Sequence, residues 1–272
     1  MKRIAIFSHY DKHNIIDEYV IHYLNELKKT FEHIIFVSDC NLNETEINKI
    51  KDVVSYIKAY NHGEYDWGSY KYGYIIAKEN NLLTDADELL FCNDSVYGPI
   101  TSMDVLYKEM TNDKCDFWGL YENKFGLDGV IEPHLQSWFL LMKKNVFLSD
   151  EFDKFILNVK KEENKTDIIK KYEIGFTTEM KKHFSYKSAY ISEETNAVTV
   201  AAPLLLEKGF PFIKVVVFKK YLLDYKKYIE NDLFIKIKSH KKRTSSEPIM
   251  KNIFRTMKVK RKMKKYKIDK NY

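Results

Sequence analysis

The chain has 272 residues and a mass of 32.4 kDa; 44% of its residues are hydrophobic, 31% charged and 15% aromatic. This length fits one large domain, or one domain with an appendage, and the composition excludes a disordered chain, a collagen-like repeat and a disulfide scaffold. The net charge is +6, but residues 241–272 carry thirteen lysine or arginine residues against one glutamate and one aspartate. That segment has a charge of +11, so the other 240 residues carry −5. The sequence therefore predicts a mildly acidic globular body with a strongly basic tail.

Cysteine usage and hydropathy both predict a cytoplasmic protein. The three cysteines are Cys40, Cys92 and Cys115. They lie far apart and lack CxxC or Cys/His spacing, which favours reduced thiols over a structural zinc site. The first apolar run ends at Ser8, too early for a signal peptide. The most apolar stretch, residues 198–218, is interrupted by three charged residues, so we expect no segment to span a bilayer.

Hydrophobic periodicity predicts strands that alternate with helices along most of the chain. The expected strands cover residues 4–8, 34–38, 53–59, 88–92, 116–120, 137–142 and 186–191. The expected helices cover residues 14–29, 44–51, 67–80, 102–110, 146–159 and 166–183, the last as one helix or a pair. Such alternation indicates βαβ units and a mostly parallel sheet. We therefore expect an α/β fold with a single Rossmann-type domain over residues 1–218 and a basic, helical extension over 219–272.

In such sheets, ligands bind beyond the carboxyl ends of the strands. Three polar clusters follow predicted strands or lie just beyond them, at residues 8–11, 61–66 and 93–98. The first cluster precedes a predicted helix, in a position where nucleotide-binding domains commonly contact a base or a ribose. A polar loop that only caps the helix explains the same residues equally well. The candidate ligand contacts in this cluster are Ser8, His9, Tyr10 and Asp11.

The second cluster, extended to residues 61–73, is the densest group of aromatic and small side chains in the sequence. Gly63 and Gly68 permit tight turns, and Asp66 can accept a hydrogen bond from a base or a ribose hydroxyl. A turn with a helix N-cap would explain Asp66 alone. No GxGxxG or GxxxxGK[ST] motif is present, so neither a dinucleotide fingerprint nor a P-loop is supported. The residues expected to contact a ligand are Tyr65, Asp66, Ser69 and Lys71.

The third cluster begins where the apolar strand over residues 88–92 runs into Asn93, Asp94 and Ser95. A strand that ends in a short run of oxygen ligands suits a divalent ion bridging a diphosphate. Mg²⁺ prefers one or two carboxylates together with phosphate oxygens. Only one carboxylate is present, and an Asx-turn after a strand is an equal alternative.

Two weaker signals lie in the second half of the chain. His134 and Gln136 precede a predicted strand and are candidates for acceptor or sugar contacts, although a lone histidine is more often structural. Glu173 is expected at or near a helix start, where the helix dipole would favour a carboxylate in any case. No GxSxG, HExxH or SxxK motif supports a hydrolase or a protease.

Several stretches between residues 4 and 215 resemble, in order, the rhamnan synthesis protein F family of bacterial glycosyltransferases. They are IFSHYDKHNIIDEYVIHYLNEL, GEYDWGSYKYG, ELLFCNDSVYGPI, CDFWGL, HLQSWFLLMKKNVF, YEIGFTTEM and GFPFIKV. The segments YDWGSYKYG and LLFCNDSVYGPI are specific only in combination. The basic tail lies outside this resemblance.

The resemblance implies a GT-A-like fold and a transferase that builds cell-surface polysaccharide, typically from dTDP-rhamnose or a related nucleotide sugar. Galactofuranose or another sugar remains open. Asp94 then falls where GT-A enzymes place their DxD metal motif, but the outer carboxylates are missing, so a need for Mn²⁺ or Mg²⁺ also remains open. Glu173 falls at the catalytic-base position of inverting enzymes, although Ile174 stands where a second acid is often found.

This comparison implies a specific arrangement of the donor. Its nucleotide would rest on residues 8–11 and 66–71, with its diphosphate near Asp94 and its charge balanced by a metal or by Lys71. Glu173 would deprotonate the acceptor hydroxyl as that oxygen attacks the anomeric carbon, which inverts the configuration. The rival interpretation is a non-catalytic nucleotide-sugar or glycan-binding module of the same fold.

The basic tail, residues 241–272, predicts contact with an anionic surface. Met250, Ile253, Phe254 and Met257 recur at helical spacing, which suggests an amphipathic helix on the inner face of the cell membrane, near a lipid-linked or oligosaccharide acceptor. A solvated, disordered tail is the alternative. Nucleic acid is not expected as a partner, because the acidic body offers no second basic face; an RNA-binding tail would show steeply salt-dependent affinity.

Overall fold

The computed structural model describes residues 1–192, 197–220, 223–244 and 268–270. Eleven strands lie in these ranges. They are β1 (Arg3–His9), β2 (His33–Ser38), β3 (Tyr56–Ala59), β4 (Glu88–Asn93), β5 (Val96–Tyr97), β6 (Phe117–Phe125), β7 (Ile131–Leu135), β8 (Phe139–Lys143), β9 (Tyr186–Ser192), β10 (Ile213–Lys214) and β11 (Ile268–Lys270).

Helices connect most of these strands. The α-helices are α1 (Glu18–Lys28), α2 (Glu44–Asn48), α3 (Tyr65–Glu79), α4 (Leu82–Asp85), α5 (Asp104–Asn112), α6 (Lys144–Phe147), α7 (Asp150–Leu157), α8 (Lys165–Ile168), α9 (Gly175–Met180), α10 (Ala197–Val200), α11 (Ala202–Glu207), α12 (Val215–Lys220) and α13 (Asn231–Thr244). Two 3₁₀ turns cover Leu127–Gly129 and Leu223–Tyr228, and a π-helical segment covers Ile169–Ile174.

The main sheet has nine strands in the order β11-β9-β6-β8-β4-β1-β2-β3, with β7 paired to β6. Strands β1, β2, β3 and β4 are parallel to one another. Strand β8 is antiparallel to both β4 and β6, so β6 and its parallel neighbour β9 run in the same direction as β1. The structure therefore confirms the predicted α/β fold with a mixed, mostly parallel central sheet.

Two hydrophobic clusters cover the two faces of this sheet, because successive side chains of a strand point to opposite faces. Along β1, Ala5 and Phe7 pack into one cluster with α1, whereas Ile4 and Ile6 pack into the other with α3. The spacing of the buried residues of α1 is the one that the sequence predicted for an amphipathic helix. All six residues of β4 are buried, as expected for a central strand covered on both faces.

Helix α3 lies unusually close to β1 because of one glycine. A Cβ atom at Gly73 would lie 2.3 Å from Cγ2 of Ile6, so no larger residue fits there without moving the helix. This close packing brings the first turn of α3, which holds Asp66, against the carboxyl end of β1. The aromatic density near Asp66 partly serves packing, since Trp67 is buried among the rings of Phe91, Phe155 and Phe176.

Several predicted elements differ from the observed ones. The helix expected over residues 146–159 is two short helices, α6 and α7, and the strand expected over 116–120 continues to Phe125. The short strands β5, β7 and β10 were not predicted. The segment around Glu173 is not a helix start as predicted, because α8, the π-helical segment and α9 follow one another without a break from Lys165 to Met180.

The beginning of the basic tail is part of the folded body. Helix α13 packs on α1 and buries Leu233, Ile237 and His240. At its end, Arg243 donates to Asp11 at 3.2 Å and 2.7 Å and also contacts Asp17. Burial acts to raise the pKa of Asp11, but the hydrogen bonds from Arg243 and from the His13 backbone N–H, together with the charge of Arg243, outweigh it and leave that pKa below its usual value.

The rest of the tail is described only in part. The amphipathic helix suggested by Met250 to Met257 lies outside the described residues, and the division of the chain at residue 218 stays a prediction. Among the residues that the structure describes, no helix is both long enough and apolar enough to cross a membrane.

Candidate functional site

A cavity of about 530 Å³ opens at the carboxyl ends of β1 and β4. The two strands are parallel, and Ser8 of β1 is paired in register with Asn93 of β4. Their ends therefore bring two of the three predicted polar clusters to one edge of the sheet, the location that ligands prefer in this architecture. The charged side chains in the cavity wall are Asp39, Asp66, Asp94, Lys165 and Glu173.

Many of the predicted site residues meet at this cavity. Those in its wall are Ser8, His9, Tyr10, Tyr65, Asp66, Asp94, Ser95 and Glu173. Tyr10 and Tyr65 keep 59% and 44% of their surface exposed, so two aromatic rings remain free to contact a ligand. Tyr65 holds a left-handed backbone with φ of 57°, an uncommon conformation for a bulky residue that is found mostly where function requires it.

Asp66 is held rigidly by the strand ends. One carboxylate oxygen accepts a hydrogen bond from Ser8 Oγ at 3.0 Å, and the other accepts one from Asn93 Nδ2 at 2.9 Å. Burial raises the pKa of Asp66, and the hydrogen bond from Ser8 offsets part of that rise. Both oxygens already have a partner, so Asp66 orders the floor of the cavity.

Asp94 is held on one side only. Its Oδ2 accepts a hydrogen bond from the backbone N–H of Tyr10 at 3.0 Å and lies 3.8 Å from Nε2 of His9. Burial lowers the pKa of His9 to about 4, so this ring is neutral at pH 7 and does not neutralise the carboxylate. Burial, reinforced by the charge of Asp66, raises the pKa of Asp94 well above its usual value.

Glu173 lies in the π-helical segment, a rare helix form that is frequent at functional sites. Its Oε2 accepts hydrogen bonds from Ser137 Oγ at 2.7 Å and from the Ser137 backbone N–H at 3.3 Å. Its Oε1 lies 3.9 Å from Nε2 of His134. Nδ1 of His134 donates to the carbonyl of Glu132 at 2.8 Å, which leaves Nε2 as the ring nitrogen that faces Glu173.

Six other predicted residues are not in the cavity wall: Asp11, Asn93, Ser69, Lys71, His134 and Gln136. Asn93 and Ser69 are buried and hold Asp66 and His62 respectively. Lys71 binds Glu64 and donates to the carbonyl of Val159 at 2.7 Å.

Gln136 accepts a hydrogen bond from Trp138 Nε1 at 2.7 Å, and its backbone N–H donates to Tyr121. His134 reaches the site only through Glu173. The carboxylate of Asp11, also outside the wall, is held by Arg243. The structure therefore separates predicted residues that face the cavity from others that support its walls.

Sequence reasoning missed two charged residues of the wall. Asp39 follows β2, the neighbour of β1, and accepts a hydrogen bond from the N–H of Gly63 at 2.8 Å. Gly63 has φ of 68°, which favours glycine and lets the loop turn back over Asp39. The same rule that selected the ends of the strands β1 and β4 could have found Asp39. Lys165 lies in a polar stretch that carries no recognisable signal.

Two groups of acidic side chains could be considered for a metal. Ligand atoms of Asp11, Asp17 and His240 lie within 4.8 Å of one another, but Arg243 already pairs with both carboxylates, so this group is neutralised by the protein itself. Asp94 fits better, because backbone N–H groups and a neutral histidine ring surround its carboxylate, and no lysine or arginine of the described residues pairs with it. One carboxylate plus phosphate oxygens is the ligand set that Mg²⁺ commonly takes, and Mn²⁺ also suits such oxygen ligands.

The fold and the acidic cavity define an α/β protein with a candidate ligand site beyond the carboxyl ends of parallel strands. The chain belongs to the rhamnan synthesis protein F family, whose model matches residues 34–272. This match includes the basic tail, which the resemblance found in the sequence had left outside, and it does not include β1. No curated protein is similar enough in sequence to count as a relative.

Solved structures of low sequence identity are similar to the chain. The inositol-1-phosphate CTP transferase from T. maritima aligns over 90% of this chain and 98% of its own, with 9% identity and a TM-score of 0.45. Core-mannan synthase A from Aspergillus fumigatus, in its Mn/GDP form, aligns over 65% of this chain and 69% of its own, with 9% identity and a TM-score of 0.38. A mannosyltransferase from S. cerevisiae in complex with GDP aligns over 57% of this chain and 60% of its own, with 12% identity and a TM-score of 0.36. The chain therefore spans about three fifths of that enzyme.

Proposed function

We propose that the protein is a glycosyltransferase that moves a sugar from a nucleoside-diphosphate donor to a growing cell-surface polysaccharide. Family membership supports the polysaccharide and favours rhamnose, with galactofuranose or another sugar as the alternative. The observation that carries the proposal is that Glu173 and Asp94, which come from separate parts of the chain, line one cavity of about 530 Å³. A proton acceptor and a candidate metal ligand therefore share one space large enough for a nucleotide sugar.

In the proposed reaction, the acceptor hydroxyl oxygen forms a bond to the anomeric carbon while the bond from that carbon to the diphosphate oxygen breaks. The electron pair of the broken bond stays on the departing nucleoside diphosphate. Glu173 takes the proton of the attacking hydroxyl, and His134 can accept that proton in turn. Attack opposite the leaving group inverts the anomeric configuration, through a transition state with oxocarbenium character.

The proposed donor site uses the walls of the cavity. The exposed rings of Tyr10 and Tyr65 suit contacts with a nucleobase, and the hydroxyl of Ser8, held in place by Asp66, suits a contact with a ribose. Asp94 would hold Mn²⁺ or Mg²⁺ through its carboxylate, and the metal would supply positive charge to the diphosphate.

A thermal-shift screen against dTDP, UDP, GDP and CMP, each with and without Mn²⁺, tests this proposal. A ligand at one hundred times its dissociation constant stabilises the folded state by about 2.7 kcal/mol, which corresponds to a rise in Tm of roughly 5–10 °C for a chain of this size. We expect one nucleotide to give such a rise, larger with Mn²⁺ than without it. No rise with any nucleotide would contradict the proposed donor site. If the protein binds a nucleotide but does not release nucleoside diphosphate from the matching sugar donor when acceptor is present, the result would instead support a non-catalytic binding module.

We also propose that the basic tail holds the enzyme at an anionic membrane surface, where lipid-linked acceptors are found. Lysines near such a surface contribute about 1 kcal/mol each. Replacing Lys258, Lys260, Arg261 and Lys262 with glutamine should therefore move most of the protein out of the floating fraction of phosphatidylserine vesicles. The change leaves Arg243 and its contacts with the body intact. Equal flotation of the two proteins would rule out this role for the tail.

A further inference from the structure

A lysine far along the chain lies beside the Asn93–Ser95 turn. Strand β10 pairs with β5 in an antiparallel ladder that places Lys214 opposite Val96. The backbone N–H of Val215 donates to the carbonyl of Ser95 at 2.9 Å, which ties this ladder to the turn itself. The backbone of Lys214 is therefore fixed next to the carboxyl end of β4, and its side chain begins at the edge of the cavity.

The ammonium group of Lys214 has unused donors. It donates to Ser95 Oγ at 2.9 Å and lies 4.8 Å from the centre of the Trp138 ring. Among the described residues, the carboxylates of Glu173, Asp66 and Asp94 act on it only through their charge, and none of them forms an ion pair with it. An ammonium group carries three hydrogens, so the hydrogen bond to Ser95 Oγ does not use all of its donors. Ser95 itself is in the cavity wall, which places the cation directly behind it.

The ammonium group of Lys214 is buried near carboxylates but is not paired with any of them. Burial lowers its pKa to about 8, while the charges of Glu173 and Asp66 act in the opposite direction. A buried amine costs free energy unless a negative group balances it. The cavity carboxylates balance it only from a distance, since Asp94 and Asp66 are bound by other groups. An anionic ligand placed between Lys214 and Asp94 would bring the missing contact.

Lys71, which the sequence suggested for charge compensation, cannot take this part in the observed structure. Its ammonium group is bound to Glu64 and to the carbonyl of Val159, outside the cavity wall. Lys165 is in the wall but is exposed to solvent, where a charge contact is weaker. Lys214 is partly buried, rigidly placed and close to the candidate metal ligand.

We propose that Lys214 binds the diphosphate of the donor and stabilises the nucleoside diphosphate as it leaves. This inference rests on the proposed function and names the residue that compensates the leaving group. As the bond between the anomeric carbon and the diphosphate oxygen breaks, the electron pair remains on that oxygen. Lys214 keeps its proton and donates hydrogen bonds to the phosphate oxygens, so the charge that develops there is met by a fixed cation.

The test compares diphosphates with monophosphates, because only the former place a second phosphate near Lys214. Dissociation constants are measured by calorimetry for UDP and UMP, dTDP and dTMP, and GDP and GMP, in EDTA and in Mn²⁺. The proteins are the full chain, Lys214→Met, Lys214→Arg and Lys78→Met. Lys78 is the control: like Lys214 it lies over an aromatic ring, here that of Tyr74, but it pairs with Asp153 at the far end of α3, away from the cavity.

We expect Lys214→Met to weaken binding of the preferred diphosphate by about 10- to 100-fold, the usual value of a charge-assisted hydrogen bond. Binding of its monophosphate should change less than about threefold, and Lys78→Met should change neither. Lys214→Arg should retain most of the affinity. The loss should be larger in EDTA, where Lys214 is the main cation at the diphosphate.

An equal loss for diphosphate and monophosphate would overturn the inference, because it would show that Lys214 only supports the fold of the turn. Unchanged diphosphate affinity would overturn it as well. If Lys214→Met does not fold, Lys214→Gln, which keeps a hydrogen-bond donor without the positive charge, is compared for diphosphate and monophosphate in the same way. A wild-type protein that binds no nucleotide at all removes the proposed function, and this inference with it.

Discussion

Replacing Glu173 with glutamine should lower kcat by about 10²- to 10⁴-fold and leave nucleotide affinity within about twofold. Glutamine has the same shape, and its oxygen can still accept the hydrogen bond from Ser137 Oγ that holds Glu173 in place. It cannot take a proton from the acceptor hydroxyl. The expected loss is therefore confined to the chemical step. The measurement is release of nucleoside diphosphate from the sugar donor in the presence of acceptor, with calorimetry for nucleotide binding.

Glu179→Gln provides the matched control for this experiment. Glu179 lies two turns further along the same helical run and pairs with Lys182 at the surface. Removal of its charge should leave both kcat and nucleotide affinity unchanged. A Glu173→Gln protein with a rate close to wild type would exclude Glu173 as the base. A parallel loss of nucleotide affinity would instead indicate that the substitution disturbs the cavity.

The core of the fold could be predicted because its signals are local. The apolar residues of β1 and β4 form short continuous runs, and those of α1 recur at helical spacing, so a parallel sheet covered by helices follows from the sequence. The rule that ligands bind beyond strand ends then selects Ser8 and Asp94 without knowledge of any contact. Both residues line the observed cavity.

The rest of the site depends on contacts between distant parts of the chain. Lys214 lies 119 residues from Ser95, and the two-residue strands that bring them together are too short to show a periodic pattern. The π-helical turn at Glu173 has no known sequence signature either. Lys71 is an example of the opposite error. Its position in the polar cluster after residue 61 predicted a ligand contact, but its side chain binds Glu64 and lies outside the cavity wall.

Arg243 is a second residue whose role depends on a distant contact. In the sequence it is one of many basic residues at the start of the tail, whereas in the structure it closes an ion-pair cluster with Asp11 and Asp17. Buried or half-buried pairs of this kind are set by packing of α13 on α1, which no composition can show. Part of the excess charge of the tail therefore stabilises the body.

Replacing Asp94 with asparagine should have opposite effects on stability and on ligand binding. In metal-free protein at pH 7, we expect a higher Tm, because the substitution removes a buried carboxylate whose pKa burial has raised. Asparagine keeps an oxygen that can accept from the Tyr10 backbone N–H. With Mn²⁺ present, the variant should bind the preferred nucleoside diphosphate about 100-fold more weakly than wild type, and Mn²⁺ should no longer strengthen its binding.

The pH dependence of the higher Tm shows whether the substitution stabilises the protein by removing the charge of Asp94 or by changing the packing around it. A carboxyl group whose pKa is higher in the folded than in the unfolded state makes the wild-type protein less stable as pH rises between the two values. In EDTA, the difference in Tm between Asp94→Asn and the wild type should therefore decrease toward pH 4. At that pH the carboxyl group is protonated in the folded protein and increasingly protonated in the unfolded chain. Asp113→Asn is the control of opposite sign, because a hydrogen bond from Lys187 lowers the pKa of that half-buried carboxylate, and removal of its charge should not stabilise the fold. A constant advantage at all pH values would mean that packing, and not the buried charge, sets the stability of this site.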